Sequence, residues 1–358
     1  MKTINYNLKT LLIAVIAVLT ISSCSKDDNY QELPEVRSGF YILNEGGFQS
    51  NNASLSYYNL ENGSVVNGFF AQKNGRGLGD TGNDVQIYGS KMYIVVNASN
   101  TVEVVDAKTV KSIKQISFVD AEKKIGRQPR YIIFNKNKAF VSSFDGTVAV
   151  IDTATLTIEK YIKVGRNPDG MTIANNKIYV ANSGGLGYQD GSGYDKTVSV
   201  IDLNTLTELK KIDVVINPGG VTATPDGRIY VKSTGNYGDV KPSLTIIDSK
   251  TDVVKSIKEF SGSGMTVVGD KAYFLKAKGV MEYDLKTDAI TKENVITDGT
   301  IIKIPYGLNY DKVNQQFFVC DAQSYSSTGV VLCFSKEGKL LYKVDAGVLP
   351  NNVVFLNK

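Results

Sequence analysis

Short runs in which apolar and polar residues alternate recur along most of the chain, the period that a strand needs when it buries one face. Thr197-Val198-Ser199-Val200-Ile201-Asp202 is the clearest, and the order of elements can be read around it. Asn167-Pro168-Asp169-Gly170 leads into a short strand over 171–174, and Asn175-Asn176 turns it into a second over 177–181. A long loop separates these from the alternating run. Leu203-Asn204-Thr205 then turns the chain into 208–214, polar and lysine-bearing as an exposed edge should be.

This unit repeats. A small, polar or basic residue, a spacer and an aromatic open a β-rich run at Gly39-Phe40-Tyr41, Lys91-Met92-Tyr93, Lys138-Ala139-Phe140, Lys177-Ile178-Tyr179, Arg228-Ile229-Tyr230, Lys271-Ala272-Tyr273 and Gln316-Phe317-Phe318. Successive aromatics lie 52, 47, 39, 51, 43 and 45 residues apart. Several short strands per unit at about 40–50 residues is the signature of propeller blades. The first unit, 40–70, lacks an opening strand, and Pro350-Asn351-Asn352-Val353-Val354-Phe355 has no blade to follow. Joining the two predicts an all-β fold: a seven-bladed β-propeller of four-stranded antiparallel blades. Its ring closes when the C-terminal strand pairs with the N-terminal blade, which removes a free edge.

Punctuation supports the same reading. Pro129, Pro168, Pro218, Pro305 and Pro350 each stand at the opening of a unit, where a fixed φ sets the entry angle. Third strands end in Asp-x-x-Thr at Asp106/Thr109, Asp152/Thr155, Asp202/Thr205, Asp248/Thr251 and Asp284/Thr287, expected to form turns. One carboxylate per blade around a rim cannot converge on a metal or a substrate.

The chain has 358 residues, 20 Tyr, no Trp and no His. Its 40 basic and 36 acidic residues are scattered rather than clustered, so no nucleic acid is expected as partner. Without histidine there is no Ser-His-Asp or Cys-His catalysis and no usual neutral-pH base. Asp84 and Asp169 fall in non-adjacent blades, and Gly75-Arg76-Gly77-Leu78-Gly79 has no helix after it to cradle a phosphate. The expectation is a binding module, not an enzyme, with no metal and no cofactor. Cys320 and Cys333 fall on consecutive strands. A tight hairpin puts Cys320 opposite Val331 and Cys333 opposite Phe318, a diagonal too long for a disulfide, so free buried thiols are expected.

In a propeller the loops between strands two and three, and between blades, share one face; the remaining turns share the other. The second kind are short and stereotyped here. The first kind are long and rich in Gly, Asn, Ser and Tyr, a combining-site composition. Candidate ligand-binding residues on that face are Phe48, Gln49, Phe144, Asn182, Tyr188, Tyr194, Tyr237 and Tyr325. Asp84, Asn97, Arg130, Asp169, Tyr306 and Asn352 are candidates nearer the axis.

At the N-terminus, Lys2 and Lys9 precede an apolar run over 11–21, short for a bilayer span but suited to a signal peptide over 1–23. Ile21-Ser22-Ser23-Cys24 resembles a bacterial lipobox, with Cys24 lipidated; an ordinary secretory signal with an incidental cysteine is the alternative. Ser25-Lys26-Asp27-Asp28 resembles the export signal of Bacteroidetes surface lipoproteins. Residues 24–38 would form the lipidated N-terminus and tether, and 39–358 the propeller.

The strands Tyr179-Val180-Ala181-Asn182 and Val200-Ile201-Asp202 resemble those of the YVTN or YncE-like seven-bladed propellers. With the export signal and the Asn/Tyr loops, the chain resembles the BtuG family of Bacteroidetes surface lipoproteins. That resemblance implies capture of vitamin B12 (cobalamin) and other cobamides, hand-over to a BtuB-like TonB-dependent outer-membrane barrel, and an outer-membrane, cell-surface location through the lipid at Cys24. A cobamide would be the ligand rather than a cofactor. A glycan-binding surface lipoprotein and a protein-docking propeller are the alternatives.

Overall fold

The computed structural model describes residues 35–358. The segment 1–23, Cys24, the export signal and most of the 24–38 tether lie outside the described residues. From Val36 onward the chain builds seven four-stranded antiparallel sheets, the blades of a propeller.

Blade I takes its innermost strand, Pro350–Asn357, from the C-terminus, followed outward by Arg37–Asn44, Ser54–Asn59 and Val65–Val66. Blades II to VII each use four consecutive strands. Their innermost members are Gly82–Tyr88, Pro129–Asn135, Pro168–Ala174, Pro218–Ala223, Ser263–Val268 and Pro305–Asp311. The expected seam is present: Phe40 pairs with Phe355 and Ile42 with Val353. All five prolines open an innermost strand.

Seven apolar clusters among the described residues each join one blade to the next, so the core is a ring of interfaces rather than a single centre. The repeating aromatic sits in these interfaces. Tyr41, Tyr93, Phe140, Tyr179, Tyr230 and Phe318 are buried. At three of the tyrosine positions the hydroxyl reaches the next blade. Tyr41 donates to the Ala107 carbonyl at 2.8 Å, Tyr179 to Asp252 Oδ1 at 2.5 Å and Tyr230 to Asp288 Oδ1 at 2.7 Å. A buried Tyr hydroxyl needs such a partner, and here it ties a blade to its neighbour's outer turn.

The Asp-x-x-Thr turns behave as read. In each, the aspartate Oδ1 accepts the amides two and three residues on, as Asp106 does from Lys108 and Thr109 at 3.1 and 2.8 Å. Cys320 pairs with Val331 and Cys333 with Phe318, the diagonal arrangement expected, and both thiols are free and buried.

Blade I departs from the sequence reading at its outer edge. The outermost strand is only Val65–Val66, and Phe69–Asn74 is a helix. Good helix formers lie there between Gly68 and Gly75, both left-handed, which start and stop a single turn and a half. Its Phe70 is buried in the interface with blade II.

Candidate functional site

Innermost strands run from the long-loop face towards the short-turn face, so their first residues surround the axis on the long-loop side. A cavity of about 1080 Å³ opens there. It is lined by the starts of innermost strands, the ends of second strands in blades V and VI, and the 322–327 loop.

Five of the sequence candidates line it: Asp84, Asp169, Tyr306, Tyr325 and Asn352. Asp84 is 3 % exposed and accepts four hydrogen bonds. They come from the amides of Val85 and Ile132 at 2.9 and 3.0 Å, Gln86 Nε2 at 3.2 Å and Asn352 Nδ2 at 2.8 Å. Asn352 in turn accepts from Asn309 Nδ2 at 2.8 Å, so a polar chain runs from blade VII through the seam to blades II and III. Tyr306 donates to Glu45 Oε2 at 2.8 Å, and burial raises the pKa of both groups. Asp169 accepts from Arg130 Nε at 3.0 Å.

Arg130 stands just behind the wall. It also donates to Asn83 Oδ1, and its guanidinium lies 4.6 Å from the centre of the Phe144 ring. Arg130 and Phe144 are thus brought together as a cation–π pair that backs Asp169.

The remaining candidates sit elsewhere. Asn97 is buried and donates to the Pro129 carbonyl at 3.0 Å. Asn182 is fully buried: it donates to Thr197 Oγ1 and Ser199 Oγ and accepts from the Gly165 amide. Both side chains are engaged inside the fold, where they hold loops rather than face the cavity. Phe48 is exposed, and the Gln49 amide donates to Asp80 Oδ1 at 3.2 Å, in the loop after Arg37–Asn44. Tyr188, Tyr194 and Tyr237 lie on the long loops of blades IV and V, where the rings of Tyr194 and Tyr237 meet edge to face at 6.4 Å.

Sequence reasoning missed Gln86, Tyr131, Asn309 and Asn351, which give the cavity its amide and phenol lining, as well as Lys232. A signal was available for Asn351, which directly follows Pro350 and stands beside the candidate Asn352 at the opening of an innermost strand. Gly170, Gly219, Gly220 and Gly307 expose bare backbone between these side chains. A Cβ at Gly307 would lie 2.1 Å from the Asn351 carbonyl oxygen, so blades VII and I approach too closely there for any other residue. Among the described residues no group of three or more Asp, Glu or Cys side chains is placed to share a cation.

Asp84 makes the site sensitive to pH. Burial pushes its carboxyl up to about 6 against the four donors, which favour the charged form. A raised folded-state pKa means that the stabilising contribution is complete below the ordinary value near 3.8. It fades as pH rises and is gone above about 6. The shift corresponds to about 3 kcal/mol by linkage. Urea unfolding of the wild type and Asp84→Asn across pH 4 to 7 is expected to show the wild type losing ground to the variant as pH rises. The opposite slope would mean that the donors outweigh burial.

A family model described as "Domain of unknown function (DUF5074)" matches residues 38–349. No curated protein matches the sequence. Solved structures share the fold at low identity. A quinonprotein alcohol dehydrogenase-like protein from Bacteroides thetaiotaomicron is 17 % identical with a TM-score of 0.66, over 89 % of this chain and 78 % of that one. Hydrazine synthase from Kuenenia stuttgartiensis is 17 % identical with a TM-score of 0.60, over 75 % and 93 %. The computationally designed Ika8 protein is 13 % identical with a TM-score of 0.57, over 89 % and 91 %.

Proposed function

The chain belongs to the DUF5074 family, and on that footing we propose that this propeller captures a large, rigid, amide-edged small molecule of the cobamide class in its axial cavity, without chemically altering it. The observation that carries the reading is the cavity itself: about 1080 Å³, on the long-loop face, walled by amides, phenols and bare glycine backbone. A cobamide is a broad disc with amides around its edge. Gln86, Asn309, Asn351 and Asn352 can exchange hydrogen bonds with such an edge, while Tyr131, Tyr306 and Tyr325 offer amphipathic rings. The polar wall is already tied together across the seam, so little ordering is lost when a rigid ligand enters.

In this proposal the protein is a lipoprotein anchored through Cys24 at the outer-membrane surface. It passes its cargo to a TonB-dependent barrel of the BtuB type and has no enzymatic role. With no histidine in the sequence, no imidazole can replace the cobalt's lower ligand, so capture would proceed through the periphery of the corrin. Gel filtration of the purified protein mixed with cyanocobalamin should carry red colour with the protein peak, its visible spectrum free of base displacement. Colour that elutes only with the small molecules would defeat the proposal.

A second reading, docking of a glycan or another protein on the rim, is favoured by Tyr188 and Tyr237, which are 83 % and 80 % exposed. Rings so open to water are more readily covered by a partner than by a ligand seated at the axis.

A further inference from the structure

One cation in the cavity wall stands apart. The Lys232 side chain makes no hydrogen bond and no salt bridge among the described residues, although it lines the cavity and is only partly exposed. The same place in the other six second strands is occupied by Leu43, Val95, Ser142, Ala181, Leu275 and Cys320, all buried and uncharged. A lysine here therefore replaces a core residue of the repeat, and an unpaired ammonium in such a setting costs stability.

The surroundings accommodate it specifically. A Cβ at Gly220 would lie 2.6 Å from Lys232 Cε, so the lysine stem runs along the wall through the space that the glycine leaves. Gly219, beside it, falls at a bulge and has no partner residue in the ladder. The anion whose field reaches Lys232 is Asp169, which is already engaged by Arg130 at 3.0 Å. Burial lowers the Lys232 pKa and Asp169 opposes that shift. Thr234, Ser261 and Ser263 add hydroxyls to the same wall.

We propose that Lys232 anchors an anion subsite in the cavity wall, which receives a monoanionic oxyanion of the ligand, a phosphodiester or a carboxylate. The source of the anion rests on the cobamide reading: the phosphodiester that joins the corrin to its lower nucleotide is the group that would seat there. A charged hydrogen bond of this kind changes affinity by about 10- to 100-fold.

Calorimetric titration of wild type, Lys232→Met and Lys232→Gln with cyanocobalamin and with dicyanocobinamide, which lacks the nucleotide and its phosphodiester, separates the possibilities. Both variants should fold with unchanged or higher melting temperature, lose about 10- to 100-fold in affinity for cyanocobalamin, and bind dicyanocobinamide as the wild type does. Equal losses for both corrinoids, or none for cyanocobalamin, overturn the subsite. If neither corrinoid binds wild type, the cobamide reading falls and the subsite is decided by a second measurement. Acetylation of Lys232 by acetic anhydride, read by mass spectrometry, should slow in inorganic phosphate relative to chloride at equal ionic strength. Equal rates in the two salts overturn the subsite whatever the cavity holds.

Discussion

Gly219→Trp is expected to abolish ligand capture while leaving the ring folded. Gly219 lines the cavity, and a Cβ there would meet nothing nearer than Asp169 Oδ2, at 3.6 Å. Its φ lies outside the left-handed range, so a side chain brings no backbone strain. An indole has only the cavity to occupy, and it would take the space and the bare backbone that a disc-shaped ligand needs. A loss of roughly 100-fold or more in affinity for cyanocobalamin is expected, with unfolding free energy changed by no more than about 1 kcal/mol. Titration beside a thermal melt checks both halves. The companion variant Tyr188→Ala/Tyr194→Ala/Tyr237→Ala reports on the rim. If it loses binding and Gly219→Trp does not, the ligand sits over blades IV and V instead of at the axis.

Removal of residues 350–358 should have the largest effect on folding. Pro350–Asn357 is the innermost strand of blade I and contributes Val353 and Phe355 to the cluster shared with blade VII. Val353 is buried and Val354, Phe355 and Leu356 are half-buried, and at about 1.5–3 kcal/mol for a fully buried side chain they total about 4–8 kcal/mol. That is comparable to the ~5–15 kcal/mol that keeps a typical domain folded. The deletion also strips Asp84 of its Asn352 donor and leaves the Arg37–Asn44 edge open, with Phe40 and Ile42 beside it. Loss of a cooperative melt and association on gel filtration are expected. A truncated chain that stayed monomeric and melted within a few degrees of full length would show that the seam is dispensable.

The fold was legible because its devices are local and repeated. Tyr179 and Tyr230 stand in the same phrase, Asp152 and Asp202 in the same turn, and each carries its role wherever it recurs. The seam was legible too, since Asn351-Asn352-Val353 matches a unit opening without a unit. The helix Phe69–Asn74 was not, because six residues between two glycines carry too little periodicity to distinguish a turn of helix from a strand end. The cavity wall was half legible. Asp84, Asp169 and Asn352 announced themselves by position after a unit opening, whereas Gln86 and Asn309 alternate within strands that read equally well as half-buried. Asn182 misled for a related reason. Its place at the end of a second strand suggested the open face, yet the Gly165 loop folds over it, because without a side chain glycine can approach that close: a Cβ at Gly165 would lie 2.3 Å from the Asn182 amide carbon.

The direction of the seam strands has a practical consequence. Arg37–Asn44 begins, and Pro350–Asn357 ends, on the side of the short turns, where Arg37 pairs with Asn357. Both ends of the ring therefore leave from its back. A tag, a resin or a sensor chip coupled at either end would hold the molecule with its mouth to the solution, and a fused partner would not obstruct entry.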